Sequence, residues 1–176
     1  MENKEPSERE LVCDILLAVD KGAFLSKAVA DVCDKYIYLE KKKRSFIKRE
    51  ASGIFEKRLT LDAAIGMVSD TPVKKMKPLI LNVLRMGMYE LFYMDRIPSR
   101  AAIDEAVKIV KKRGLKGLSG FVNAVLRNAD RSRDKIMAEI ENSRETGFSV
   151  PEWILKMWDE SYGVQANVNV SSRSCR

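Results

Sequence analysis

The sequence predicts an all-α fold, on the basis of three observations. Apolar residues recur three and four positions apart along most of the chain, the spacing that places them on one face of a helix. The composition is rich in Leu, Ala, Lys, Glu and Met, with 9 Gly and 5 Pro, and it favours helices. No segment alternates apolar and polar residues as a half-buried strand does. With 176 residues, 45% of them hydrophobic, the chain can bury the core of one domain.

The N-terminal third of the chain predicts three helices. Ser7 and Glu10 have the spacing of a capping box ahead of the first helix, and Gly22 is positioned to end it. Ser26 is the expected N-cap of the second helix. The third helix follows a basic run at residues 41–44, and its apolar side is formed by Phe46, Ile47, Ala51, Ile54 and Phe55.

The middle of the chain predicts a fourth helix that begins at Thr60 and a fifth that begins at Pro78, a residue suited to the first turn. Residues 79–94 are apolar nearly all the way round the helix, so we expect the other helices to pack on this one. The segment is too short to span a membrane. Arg85 and Glu90 lie within it and are therefore expected to form interior ion pairs.

The remaining helices follow with short breaks. Ser99 is the expected N-cap of the sixth helix, Gly114 and Gly117 mark a loop, and residues 121–126 belong to the seventh helix.

Three parts of the chain differ in pattern. Residues 1–129 predict a helical domain of about seven helices. Residues 130–163 predict a helical linker, with helices at 130–142 and 151–162. Residues 164–176 lose the helical spacing and predict a disordered tail.

The residue types argue against catalysis and cofactor binding. The chain has no histidine, which removes the commonest general base and metal ligand. Cys13, Cys33 and Cys175 are far apart and form neither a disulfide framework nor a metal-binding pair, which is typical of a cytoplasmic protein. Asp104 and Glu105 are adjacent and would project in different directions from a helix. We therefore expect no catalytic residue, no metal and no cofactor.

Positive charge is clustered. The formal net charge is +7. Residues 39–58 contain eight basic and three acidic residues, and residues 107–135 contain nine and two. Simple solubility is one explanation, but clustering of this kind also suits a polyanion such as RNA.

Two sets of cations are the candidate RNA contacts. The first basic block consists of Lys41, Lys42, Lys43, Arg44, Lys48 and Arg49. The second basic block consists of Lys111, Lys112, Arg113 and Lys116. Cations at a helix N-terminus oppose the helix dipole, so the first block favours an external anion, whereas cations near a helix C-terminus also have a structural explanation. Phe46 and Phe55 have the spacing of core residues, so we expect salt-sensitive binding to the RNA backbone.

Several segments together resemble the NusB domain. They are residues 84–91 (LRMGMYEL), 97–112 (IPSRAAIDEAVKIVKK) and 120–127 (GFVNAVLR), with 44–62 similar to an earlier helix. The resemblance covers residues 7–129 and implies a NusB-like helical bundle that binds RNA.

Within that superfamily, the chain is most similar to the N-terminal domain of Sun/Fmu-type (RsmB-like) rRNA cytosine-C5 methyltransferases. Arg127 follows the Asn-Ala-Val-Leu sequence as it does there, and residues 150–163 (VPEWILKMWDESYG) resemble the Pro-x-Trp linker helix. This resemblance implies a non-catalytic, rRNA-positioning domain from a truncated relative without the catalytic domain. NusB factors also bind RNA through an arginine-rich first helix, where this chain offers Arg9.

Two other functions remain open. One is a stand-alone transcription antitermination factor that works with a ribosomal-protein partner. The other is a helical protein-interaction module, which can include a dimer. RNA, expected to be rRNA, is the leading partner, and no membrane partner is expected.

Overall fold

The computed structural model describes residues 5–162, apart from the side chains of Arg144 and Tyr162. Within that range the chain is all-helical, as the sequence predicts. The α-helices are α1 (Glu8–Asp20), α2 (Leu25–Lys35), α3 (Lys41–Glu56), α4 (Arg58–Val68), α5 (Pro78–Tyr93), α6 (Ser99–Lys112), α7 (Ser119–Arg131), α8 (Arg133–Asn142), α9 (Arg144–Phe148) and α10 (Glu152–Tyr162). Short 3-10 helices at Val73–Lys75 and Lys116–Leu118 precede α5 and α7.

Helix α5 is the centre of the fold. It packs against α1, α3, α4, α6 and α7, and every residue from 82 to 92 is buried. Gly87 makes close packing possible, because a Cβ atom there would lie 2.7 Å from a methyl carbon of Leu126 on α7. The prediction that the other helices pack on this apolar helix is confirmed for these five helices.

The charged residues of α5 are paired, as expected. Arg85 donates two hydrogen bonds to Asp62 on α4, with Nε to Oδ1 at 2.7 Å and Nη2 to Oδ2 at 2.8 Å. Its Nη1 also donates to Asn82 Oδ1 at 3.1 Å. Glu90 pairs with Arg9 of α1. The interior ion pairs therefore join α5 to two neighbouring helices.

Two predicted helix starts are confirmed. Ser7 Oγ accepts from the backbone N–H of Glu10 at 3.3 Å, while the Ser7 N–H donates to Glu10 Oε2 at 2.9 Å, which completes the capping box. Pro78 is the first residue of α5.

Three other predicted starts are wrong. Phe24, not Ser26, occupies the N-cap of α2, and Pro98, not Ser99, occupies that of α6; neither makes a side-chain capping bond. Thr60 lies inside α4 because only one residue separates α3 from α4. Its buried hydroxyl donates instead to a backbone carbonyl of α9. A side-chain cap contributes only about 1 kcal/mol, so capping preference alone does not fix where a helix begins.

The helices after α7 pack in sequence. Helices α8 and α9 lie against α4, and α10 contacts α9. Ile136 and Ile140 of α8 are each 3% exposed and belong to the hydrophobic core. The division of the chain at residue 129 stays a prediction, and the expected tail at 164–176 lies outside the described residues. None of the helices described has the length and hydropathy needed to cross a membrane.

Candidate nucleic-acid interface

Four cations of the first basic block lie exposed along α3. Lys41 and Lys42 are in the first turn, and Lys48 and Arg49 follow two turns later. Because the spacing is seven residues, Lys48 lies about 10.5 Å along the axis from Lys41 and on nearly the same face, and Arg49 is placed likewise from Lys42. None of the four forms an ion pair with any residue that the structure describes.

The other two cations of this block have internal partners. Lys43 Nζ lies 3.0 Å from Glu8 Oε1 on α1, and this hydrogen bond raises the pKa of Lys43. Arg44 Nε donates to the carbonyl of Leu39 at 2.9 Å, and its Nη2 donates to the carbonyl of Ile37. The sequence argument for an external anion therefore applies to Lys41 and Lys42. Lys43 instead links α3 to α1, and Arg44 binds the segment that precedes α3.

The second basic block divides in the same way. Lys112 Nζ lies 2.8 Å from Glu10 Oε2, and Arg113 Nη2 lies 2.7 Å from Asp14 Oδ1. The hydrogen bond to Asp14 raises the pKa of Arg113. Lys111 and Lys116 are exposed and form no ion pair within residues 5–162.

Both blocks form ion pairs with acidic residues in the N-terminal half of α1. The first reaches Glu8, and the second reaches Glu10 and Asp14. Residues 8 and 10 project about 200° apart around a helix with 3.6 residues per turn. The two blocks therefore contact different sides of α1, and each leaves its own set of cations in solvent.

Arg9 occupies a more interior position. Its Nε lies 2.6 Å from Glu90 Oε1, and its guanidinium carbon lies 5.6 Å from the ring centre of Phe46. The Arg9 side chain is 19% exposed. Phe46 is half-buried beside it, but Phe55 is 43% exposed, so the prediction that Phe55 is a core residue is wrong.

An open groove lies on the exposed face of α3, at the edge where Tyr89 of α5 packs against this helix. Its volume is about 470 Å³. It is lined by Ser45, Lys48, Arg49, Ser52, Gly53, Glu56 and Tyr89. Tyr89 can lie against the α3 backbone because residue 53 is glycine; a Cβ atom there would be 2.0 Å from the Tyr89 hydroxyl oxygen.

Sequence reasoning found the two cations of this groove but not its other residues. The signal was present, because the α3 residues that line the groove recur at helical spacing from 45 to 56. The participation of Tyr89, which comes from another helix, requires the tertiary structure.

Two carboxyl groups lie next to each other beneath this surface. Glu50 is completely buried, and burial together with the adjacent carboxylate of Glu90 raises the pKa of Glu50 well above its usual range. Both Glu50 oxygens and Glu90 Oε2 are buried and have no other hydrogen-bond partner, so a protonated Glu50 can donate to Glu90 Oε2 while Arg9 binds Oε1. The pair therefore completes a buried polar cluster with Arg9.

The remaining reactive residue types are not assembled into a site. Among residues 5–162, no three side chains of the Cys, Asp or Glu type are grouped so that they could hold a metal ion. Cys13 is completely buried, and burial raises the pKa of its thiol. Its sulfur lies 4.0 Å from that of Met86, as expected for a packing residue.

Comparisons with known proteins agree with the fold. The NusB family model matches residues 6–131. The chain is 32% identical over 166 residues to the “Probable ribosomal RNA small subunit methyltransferase B” of Bacillus subtilis, an alignment that covers 93% of this chain and 37% of that protein. The chain thus spans little more than a third of the length of this methyltransferase.

Two further proteins match this chain over nearly their whole length. The transcription antitermination protein NusB of Syntrophomonas wolfei is 30% identical over 132 residues, covering 74% of this chain and 93% of that protein. The solved structure of T. maritima NusB superposes with a TM-score of 0.62 at 24% identity, covering 73% of this chain and 93% of that one, which supports the fold. The resemblance to both groups seen in the sequence is confirmed, and this chain belongs to the NusB family.

Proposed function

We propose that this chain is a non-catalytic RNA-binding domain. It positions ribosomal RNA, as the resemblance to the N-terminal domain of an rRNA methyltransferase implies. The observation that carries the proposal is that six cations of the two basic blocks are exposed and have no ion-pair partner among the described residues. They are Lys41, Lys42, Lys48, Arg49, Lys111 and Lys116.

Internal pairing separates these cations from the rest of the two blocks. Lys43, Lys112 and Arg113 already neutralise carboxylates of α1. An RNA phosphate would have to compete with those carboxylates. Lys41, Lys48 and the other unpaired cations of the blocks have no such competitor among the described residues. A phosphate that binds there releases cations condensed on the RNA, which favours binding.

The carboxyl groups that lie in or next to the core are held in structural contacts, in keeping with a non-catalytic role. Asp62 is bound by Arg85 through two hydrogen bonds, and Glu90 is bound by Arg9. Glu50 is enclosed in the core next to Glu90. Groups held in this way stabilise the bundle and offer no acid–base pair to a substrate, so we assign methyl transfer in the relatives to the part of their length that this chain does not cover.

A salt titration of RNA binding tests the proposal. The variant K41Q/K42Q/K48Q/R49Q removes four charges from α3. Fluorescence anisotropy with a labelled stem–loop of small-subunit ribosomal RNA measures the affinity at several salt concentrations. The plot of log affinity against log salt is expected to become shallower by about 3, because each phosphate contact contributes about 0.7–0.9.

The matched control is K27Q/K74Q/K75Q/K77Q, which removes four exposed lysines that also form no ion pair within the described part of the chain. It has the same net charge as the α3 variant. Equal salt slopes for the two variants, or binding by the unmodified chain that does not depend on salt, would contradict the proposed interface.

The second candidate is a transcription antitermination factor, and the observation in its favour is the alignment with 93% of the Syntrophomonas wolfei protein. Capture of a small ribosomal protein on the immobilised chain, dependent on added RNA, distinguishes the two. The rRNA-positioning function predicts RNA binding without such a protein. Sedimentation in the same buffer shows whether RNA binds a monomer or a dimer.

A further inference from the structure

The groove between α3 and α5 has two chemically different ends. Lys48 and Arg49 stand at one end without carboxylate partners. Glu56 stands at the other end and likewise forms no ion pair with a described residue. Arg49 and Glu56 are seven residues apart, which is about 10.5 Å along the helix and on nearly the same face. A ligand that fits this groove carries a negative charge at one end and hydrogen-bond donors at the other.

We propose that this groove binds one unpaired nucleotide of RNA, with its phosphate at Lys48 and Arg49 and an exocyclic amino group of its base at Glu56. The inference rests on the proposed RNA-binding function and names the part of the RNA that α3 contacts. It adds a preference for base type to an interface that is otherwise expected to read only the backbone.

The chemistry of Glu56 limits what the groove accepts. A carboxylate repels a second phosphate but accepts a hydrogen bond from the amino group of cytosine, adenine or guanine. Uracil has no exocyclic amino group. The volume of about 470 Å³ is within the usual range of small-ligand sites. Single-stranded RNA is the expected form, because its bases can turn outwards into a groove whereas those of a duplex cannot.

Tyr89 forms the floor between the two ends. Its hydroxyl group lies over Gly53, and its ring packs 5.5 Å from that of Tyr93. Burial raises the pKa of Tyr89, although Arg49 lowers it, so the hydroxyl keeps its proton at neutral pH. It can therefore donate a hydrogen bond to the sugar or base of a nucleotide lying in the groove.

The test compares two single-stranded RNA octamers, oligocytidylate and oligouridylate, by fluorescence anisotropy. The unmodified chain is expected to bind the cytidine octamer about tenfold more tightly than the uridine octamer. This is the change in affinity that one hydrogen bond to a charged group produces. Glu56→Ala is expected to remove that preference. Glu40→Ala is the matched control, because it removes an exposed carboxylate at the N-cap of the same helix, outside the groove.

Each other outcome overturns the inference. A Glu56→Ala variant that binds both octamers more tightly and keeps the preference shows only a general charge effect. An unmodified chain without a preference has no base-reading subsite, but RNA binding still stands if the α3 charge variant lowers the salt slope. Failure to bind either octamer or the stem–loop overturns both the subsite and the proposed function.

Discussion

Arg9 Nε donates to Glu90 Oε1 across 2.6 Å and so joins the first turn of α1 to the last turn of α5. Glu90 is 1% exposed, whereas Arg9 is 19% exposed. The arginine that the family resemblance marks as an RNA contact therefore also neutralises a buried carboxylate. The effect of removing Arg9 on stability and its effect on RNA binding can therefore be measured separately.

Arg9→Met is expected to lower the free energy of unfolding by about 3 kcal/mol, because removal of one partner leaves the buried charge of Glu90 unpaired. Urea denaturation followed by circular dichroism measures the loss. The same substitution in a Glu90→Gln background is expected to cost much less, since the buried charge is then gone. Equal costs in the two backgrounds would show that the ion pair contributes little to stability.

RNA binding by folded Arg9→Met protein decides the other role of this residue. A salt slope equal to that of the unmodified chain places Arg9 outside the RNA contact. A slope shallower by about 0.7–0.9 indicates one lost phosphate contact, as the resemblance predicts.

The carboxyl group of Glu50 connects stability to pH. Its pKa in the folded protein is raised well above the ordinary value of 4.5 by burial and by Glu90. Between pH 4.5 and that raised pKa, the folded protein keeps a proton that the unfolded chain releases. The contribution of Glu50 to stability is therefore fully present below about pH 4.5 and is lost as pH rises to the folded pKa.

Glu50→Gln is expected to remove this loss, because the amide stays neutral at every pH and can still donate to Glu90. Urea denaturation at pH 5 and pH 8 measures the free energy of unfolding of both proteins. The variant should exceed the unmodified chain by more at pH 8 than at pH 5. Glu139→Gln, on the exposed surface of α8, controls for the loss of one carboxylate. A variant that is less stable at pH 8 than the unmodified chain would argue against a neutral Glu50.

Helical spacing predicted the order of the helices and the central place of α5 because burial repeats every three to four residues. The sequence was a poorer guide to the residues at which helices begin. Ser26 and Ser99 have good capping chemistry, yet α2 and α6 begin earlier. A cap contributes only about 1 kcal/mol, so packing of the preceding turn can move a boundary by a residue or two.

The candidate interface was predictable in composition but not in detail. Charge clustering identified both basic blocks, since sequence shows where cations are frequent. It could not show that Lys43, Lys112 and Arg113 pair with α1, because those contacts join residues up to 102 positions apart. The distinction between paired and exposed cations, on which the proposed interface depends, therefore comes from the tertiary structure.

Gly53 and Gly66 make a matched pair of helical glycines with opposite surroundings. A Cβ atom at Gly53 would lie 2.0 Å from the Tyr89 hydroxyl oxygen and 2.3 Å from the ring carbon that bears it, while nothing lies within 4 Å of a Cβ atom at Gly66. Alanine favours a helix over glycine by up to about 1 kcal/mol. Gly66→Ala should therefore stabilise the chain by about 0.5–1 kcal/mol.

Gly53→Ala should instead destabilise it by about 2 kcal/mol, because the rigid Tyr89 ring must shift and overpacking outweighs the helix preference. Urea denaturation of both variants measures the difference in sign. In a Tyr89→Leu background, which lacks the ring atoms nearest to residue 53, Gly53→Ala is expected to become neutral or stabilising. A cost that stays the same in that background would mean that Tyr89 does not lie against α3 as described, and the floor assigned to the groove would be wrong.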